Sequence, residues 1–226
     1  MKKTLLAACA VAALSLFAAN AQAADVTAPA PEENGFYVSL FGGASFLDDI
    51  ETDFYSGGYE LNTKTGYIVG GAIGMRIWDP LRAEVELSYS RWNADDADFH
   101  GFKGPDGTYS ADGHVSATYL LANLWYDIGT DTSFTPYVGG GAGVGWADAD
   151  TTFEDFPFGY GDGEAGFAFQ LGAGVKFDVT EHIALDVGYR FKGILDVDFD
   201  DSDGEGVYKN ADLYSHNVQA GVTFGL

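Results

Sequence analysis

At 226 residues the chain is the length of one domain, and beyond Ala19 it holds no apolar run long enough for a helix to cross a membrane. Its 34 acidic residues against 11 basic ones give a formal charge of −23, which argues against nucleic acid or an anionic membrane surface as a partner. A single cysteine, Cys9, leaves no internal disulfide to staple the fold.

The chain opens with a targeting segment. Lys2 and Lys3 precede an apolar run from Leu5 to Ala19, and Ala21-Gln22-Ala23 offers a small-x-small cleavage site. That is the pattern of a secretory signal peptide over residues 1–23, with a mature chain that begins at Ala24 and lacks Cys9. Removing Lys2 and Lys3 leaves nine basic residues against 34 acidic ones, a formal charge of −25. Residues 24–34, with Pro29, Pro31 and Glu32-Glu33, read as a flexible leader, and 35–226 as the folded domain.

Eight segments with a period of two follow, which predicts strands. The first covers about 35–47, with Phe36, Val38, Leu40, Ala44 and Phe46 on one row and Tyr37, Ser39, Phe41 and Ser45 on the other. The second, about 64–78, sets Tyr67, Val69, Ile73, Met75 and Ile77 against Arg76. The third, about 81–93, sets Leu81, Val85, Leu87 and Tyr89 against Arg82, Glu84, Glu86 and Ser88. The fourth, about 114–128, is less regular, with Leu120, Leu124 and Tyr126 opposite Asn123 and Asp127.

The fifth, about 134–147, sets Val138, Val144 and Trp146 against Gly139, Gly141, Gly143 and Gly145. The sixth, about 165–178, sets Phe167, Phe169, Leu171 and Phe177 against Gln170 and Lys176. The seventh, about 182–195, sets Ile183, Leu185, Val187, Tyr189 and Phe191 against Asp186, Arg190 and Lys192. The last, 211–226, carries Tyr214, Val218, Val222, Phe224 and Leu226 on an apolar row interrupted only by His216.

Connections near 48–62, 95–112, 148–163 and 197–210 are long, whereas Asp79-Pro80, 129–133 and 179–181 are short. Bulky outward residues recur ten positions apart: Phe36 and Phe46, Tyr67 and Ile77, Phe167 and Phe177, Tyr214 and Phe224. Ten residues of strand tilted at about 45° span roughly 23 Å, close to the ~25 Å apolar band of a membrane barrel. An exported chain without a helical span can enter a membrane only as a closed barrel. The prediction is an all-β, eight-stranded antiparallel up-and-down transmembrane β-barrel, with both termini on the short-turn side.

Gly35-Phe36-Tyr37-Val38, Leu124-Trp125-Tyr126-Asp127, Pro136-Tyr137-Val138-Gly139 and the terminal strand carry a resemblance to a known family. Residues 35–226 resemble the eight-stranded barrels of Gram-negative outer membranes: the OmpA transmembrane domain, the opacity proteins and related surface antigens. The resemblance implies an integral outer-membrane location with both termini periplasmic, surrounded by outer-membrane lipid and lipopolysaccharide. It also implies that the C-terminal strand is read by the barrel-assembly machinery, although the final residue, usually Phe or Trp in the family, is Leu226 here.

Ten charged residues fall on the predicted inner row: Arg76, Arg82, Lys176, Arg190 and Lys192, with Glu84, Glu86, Asp127, Asp178 and Asp186. Eight strands leave room only for side chains, so these should form a neutral, salt-bridged plug, with Arg190 neutralised by an inward carboxylate. Tyr37 and Phe41 are expected to fill the space above the four inward glycines of the fifth strand. Gly139 to Gly145 fits G-x-G-x-x-G at no register, no G-x-S-x-G or H-E-x-x-H occurs, and the four histidines are scattered, so neither a catalytic site nor a cofactor is expected.

Windows 48–62, 95–112, 148–164 and 196–212, which cover the long connections, hold 23 of the 34 acidic residues. The densest run, Asp196, Asp198, Asp200, Asp201, Asp203 and Glu205, lacks the glycine and terminal glutamate of a calcium loop and gives only a weak site for loosely bound Ca2+ or Mg2+. The function read from these features is a non-enzymatic barrel with an envelope-structural role that displays acidic loops. The alternatives are a lipid A-modifying enzyme and a small channel.

Overall fold

The alternation becomes strands because each buries one row and turns the other to a different medium, while the backbone pairs with both neighbours. In a computed structural model, residues 35–48, 50–54, 57–100, 107–153, 160–201 and 207–226 are described. The expected signal peptide and leader, 1–34, lie outside the described residues.

Among the described residues ten strands form: β1 (Phe36–Leu47), β2 (Ile50–Phe54), β3 (Gly57–Thr63), β4 (Gly66–Trp78), β5 (Leu81–His100), β6 (Gly107–Asp127), β7 (Phe134–Phe153), β8 (Tyr160–Asp178), β9 (Ile183–Asp201) and β10 (Val207–Gly225). Every pairing is antiparallel. β1 joins β4 and β10, and the β5–β6 pairing closes an eight-stranded barrel of β1 and β4–β10. β2 and β3 form a hairpin in the first long connection, and β3 pairs with the upper part of β5 from Ala94 to His100.

The register fixes the geometry. Starting at Arg91 and stepping through paired residues, the path runs Tyr67, Ala44, Val218, Tyr189, Ala173, Val138 and Tyr126. It then returns to β5 at Leu81, a shear of ten residues. With eight strands, that shear requires a tilt of about 41°. Each residue then rises about 2.5 Å along the axis, so the ten-residue spacing spans about 25 Å.

On this scale Phe46, Tyr67, Trp146, Phe167 and Tyr214 sit within about 3 Å of one level at the long-loop end. Phe36, Tyr126, Phe134, Phe177 and Phe224 form the lower girdle. A bulge between Arg76 and Trp78 brings Trp78 to the lower girdle, 62% exposed, beside the expected Ile77. Between the girdles Leu40, Ile73, Val85, Leu87, Leu171 and Val187 are all more than half exposed, as a lipid-facing row should be.

The strands run well past the limits expected from the sequence. β5 reaches His100 rather than 93, β6 begins at Gly107 rather than 114, β7 reaches Phe153 and β9 reaches Asp201. All four long connections are therefore largely paired strand, three as extensions of the barrel strands and the first as the β2–β3 hairpin. Above the girdle the outer row meets water, so the apolar signal disappears from it although the ladder continues.

Candidate functional site in the barrel lumen

The inner row places its charges in tiers. At the short-turn end, Arg82 from the start of β5 grips Asp127 from the end of β6, its Nε 3.0 and 2.9 Å from the two carboxylate oxygens. Its Nη1 also donates to Glu84 Oε1 at 3.0 Å and to the Tyr37 hydroxyl at 3.1 Å. Tyr37 and Trp125 Nε1 donate to Glu84 at 2.7 and 2.8 Å, so every strong acceptor of that carboxylate is engaged. Arg76 lies 3.6 Å from Asp127 and 3.0 Å from Asp79 at the mouth. Lys176 stands 4.0 Å from Asp127 and 3.8 Å from Asp178.

One tier higher, Arg190 behaves differently from the sequence expectation. Among the described residues no carboxylate pairs with it directly. Its guanidinium lies 4.2 Å over the Trp125 ring and 5.2 Å over Tyr137. Nη2 donates to the Tyr137 hydroxyl at 2.9 Å, and that hydroxyl donates to Asp186 at 3.1 Å. Aromatic faces and one relayed hydrogen bond replace the expected ion pair, because Trp125 and Tyr137 fill the space between the two charges.

Lys192, fully buried, is ion-paired with Glu86, and its ammonium also donates to Ser88 at 3.0 Å. The second Glu86 oxygen accepts from Asn123 at 3.0 Å and Gln170 at 2.6 Å. Lys192 also lies 4.8 Å over the Tyr119 ring. A buried pair is tolerable when all its donors and acceptors are used, and here four strands, β5, β6, β8 and β9, converge to use them.

Above this the lumen changes character. Trp92 donates to Ser45 at 3.0 Å, and Ser45 donates to Asn217 at 2.6 Å. The inward residues around them are mostly apolar: Ile68, Val115, Ile194, Val197 and Leu213 are at most 1% exposed, with the buried Ser90 and Ser215 among them. They form a dry cap across the long-loop end. Between the charged tiers a cavity of about 40 Å³ remains, lined by Arg82, Glu84, Tyr137, Lys176, Arg190 and Gln219 among others. That volume holds about two or three water molecules.

The inward glycines of β7 are filled by near neighbours rather than by Tyr37 and Phe41. A Cβ on Gly139 would meet Trp125, on Gly141 Asn123, and on Gly145 Ile194. Tyr37 and Phe41 instead lie over Gly74 and Gly70 of the adjacent β4. Side chains lean along the tilted sheet onto the next strands, so these glycines are covered from beside them rather than from across the barrel.

His216 stays on the outer row. Its Nδ1 meets the Tyr189 hydroxyl, and its Nε2 lies 3.5 Å from Asp48. Phe191 and Tyr214 stack beside it, 5.8 Å apart at 11°. Asp196, Asp198, Asp200 and Asp201 contribute backbone to β9, whereas Asp203 and Glu205 lie outside the described residues. Among the network partners, Tyr37, Ser88, Asn123 and Gln170 stand on the inner rows expected from the sequence, whereas Trp125 and Tyr137 join them without having been expected there. Their parity with the charged residues was the available signal.

The whole span from the first to the last barrel strand matches one family model, described as the outer membrane protein β-barrel domain, over residues 9–225. The chain belongs to that family. It is an integral protein of the bacterial outer membrane. It is similar to the outer membrane protein PagN of Salmonella typhimurium strain LT2, 27% identical over 185 residues that cover 73% of this chain and 77% of PagN. Among solved structures, Neisserial surface protein A superposes with a TM-score of 0.54 at 22% identity, over 86% of this chain and all of that one. OprG of Pseudomonas aeruginosa gives 0.56 at 16% identity, over 87% of this chain and 99% of its own. At these identities the two structures establish the fold.

Proposed function

We propose that this barrel is a closed, non-conducting and non-enzymatic body that holds the long-loop end at the cell surface, with both termini in the periplasm. The observation that carries the reading is the filled lumen: neutralised charges below, an apolar cap above, and a residual cavity of about 40 Å³. Nothing of substrate size passes such an interior. Its role is envelope structure and surface display, with the barrel-assembly machinery recognising the apolar row of β10 and lipopolysaccharide as the surrounding lipid. The loop carboxylates, Asp196, Asp198, Asp200, Asp201, Asp203 and Glu205 among them, hold Ca2+ or Mg2+ loosely through oxygen ligands.

The test is electrical and chemical together. Purified protein in a planar bilayer should give no regular conductance steps, and deleting the gene should leave the mass spectrum of lipid A unchanged. Large steady steps would make it a channel; a shifted lipid A mass would make it an enzyme. Calcium should raise the melting temperature in detergent more than sodium matched for ionic strength, because sodium only screens the loops.

The enzyme reading has one observation in its favour, the Asp48–His216–Tyr189 chain on the lipid-facing surface. It lacks a serine or cysteine nucleophile among those contacts, so the lipid A spectrum decides it.

A further inference from the structure

The mature chain's few cations are unevenly used. Five of them, Arg76, Arg82, Lys176, Arg190 and Lys192, are inside the lumen or at its lower mouth. Of the remainder, Lys64, in the connection between β3 and β4, and Arg91, on β5, stand close together on one flank. Arg91 pairs in register with Tyr67, and the Lys64 amide donates to the Asn93 carbonyl one step above.

Arg91 shares its row with the exposed Val85 and Leu87, while Ser88, Ser90 and Trp92 on the alternate row are buried, so its side chain leaves the barrel on the lipid side. By the register it lies at the level of the upper aromatic girdle, where lipid headgroups begin. Among the described residues its guanidinium has no hydrogen bond, ion pair or ring contact. Tyr67, 47% exposed, lies directly across from it, and the Tyr67 and Tyr89 rings are 6.4 Å apart just beneath. Lys64 is bound 3.1 Å from Asp95, with both side chains more than half exposed, a pair that solvent and salt weaken readily.

We propose that Arg91, with Lys64 above it and the Tyr67–Tyr89 pair beneath, is a docking site for a phosphate group of an outer-leaflet glycolipid. The guanidinium supplies a planar fork of donors suited to a phosphate, and it has no protein acceptor to displace. Its height selects a lipid over a soluble phosphate, since the Tyr rings below it meet acyl chains while the fork meets the headgroup. Elsewhere on the upper rim the described outward charges are acidic, such as Asp48, Asp148 and Asp150, so an anion is admitted at this flank and repelled at the others. The inference rests on the surface orientation proposed above.

Native mass spectrometry of the folded protein in detergent, titrated with bisphosphorylated lipid A in EDTA, is the experiment. EDTA removes divalent ions, so any bridge between loop carboxylates and lipid phosphates is silent. Wild type should retain the lipid, Arg91→Gln should bind about tenfold more weakly, and Lys64→Gln should lose less. Arg91→Lys should bind better than Arg91→Gln, which separates loss of charge from loss of fold. Lipid A stripped of phosphate should bind wild type and Arg91→Gln alike, and inorganic phosphate should not compete.

Equal binding of the bisphosphorylated lipid by wild type and Arg91→Gln would overturn the site, as would its complete loss from wild type in EDTA. Labelling of a loop cysteine on intact cells tests the orientation separately. A loop reached only after lysis overturns the orientation, whatever the lipid titration shows.

Discussion

Along β7, Val138 and Val144 face outward below the upper girdle while glycines face inward; above the girdle the same strand turns Asp148 and Asp150 outward and Ala147 and Ala149 inward. β5 repeats the change, with Glu84 and Glu86 inside and Val85 and Leu87 outside below, then Trp92 and Ala94 inside and Asn93 and Asp95 outside above. The backbone keeps its period of two throughout. What changes is the medium outside. In lipid the outer row must be apolar, and the interior can hold polar groups provided they satisfy one another. In water the outer row is solvated, and the interior reverts to the dry core of a soluble protein. One barrel therefore contains two inverted solutions of the same packing problem, with the girdle as the boundary.

The largest effect should come from the lower region. Lys192→Met leaves Glu86 charged and buried without its cation, which should cost about 4 kcal/mol, read as a lower urea midpoint in lipid vesicles. Adding Glu86→Gln to that variant should recover much of the loss, because the charge itself is then gone. A double variant no more stable than Lys192→Met would mean that packing, rather than charge, sets the cost.

The cap should respond to volume instead. Leu213→Ala, at a site 1% exposed, should cost about 3 kcal/mol by transfer and cavity terms. Arg190→Leu should cost only about 1–2 kcal/mol, since Asp186 keeps the Tyr137 hydroxyl and what is lost is ring contact and one hydrogen bond. A loss as large as that of Lys192→Met would show Arg190 to be a primary counter-ion after all. Asp148→Ala, on the solvated outer row, should change stability by less than about 0.5 kcal/mol.

The same contrast explains what could be read from the chain. Where the outer row is apolar, as in Val138, Val144 and Trp146, alternation locates the strand and its facing, and the ten charged inward residues emerge from parity alone. Beyond Trp146 the pattern Ala-Asp-Ala-Asp still alternates, but with the opposite phase. A search for apolar residues on the lipid row reads it as loop. Recognising Ala147 and Ala149 as an inner row would have extended β7 correctly. Partners were less legible than positions: parity places Arg190 and Asp186 on one face, but the Trp125 and Tyr137 rings between them are set by the tilt of the sheet, which the sequence of any one strand does not contain. The β2–β3 hairpin has strands of only five and seven residues, too short for their alternation to stand out, and it depends on the free edge of β5 that the barrel presents.

The inversion at the girdle is tested most directly by cysteine labelling along β7 in a background with Cys9 replaced by serine. Val144, Ala147, Asp148, Ala149 and Asp150 would each be changed to cysteine, and the folded protein in lipid vesicles exposed to a membrane-impermeant maleimide. Asp148→Cys and Asp150→Cys should react rapidly, whereas Val144→Cys, in lipid, and Ala147→Cys and Ala149→Cys, inside the cap, should stay protected until the barrel is unfolded. Rapid labelling of Ala147→Cys and Ala149→Cys at the rate of Asp148→Cys would show a wet, open lumen at that level and contradict the account.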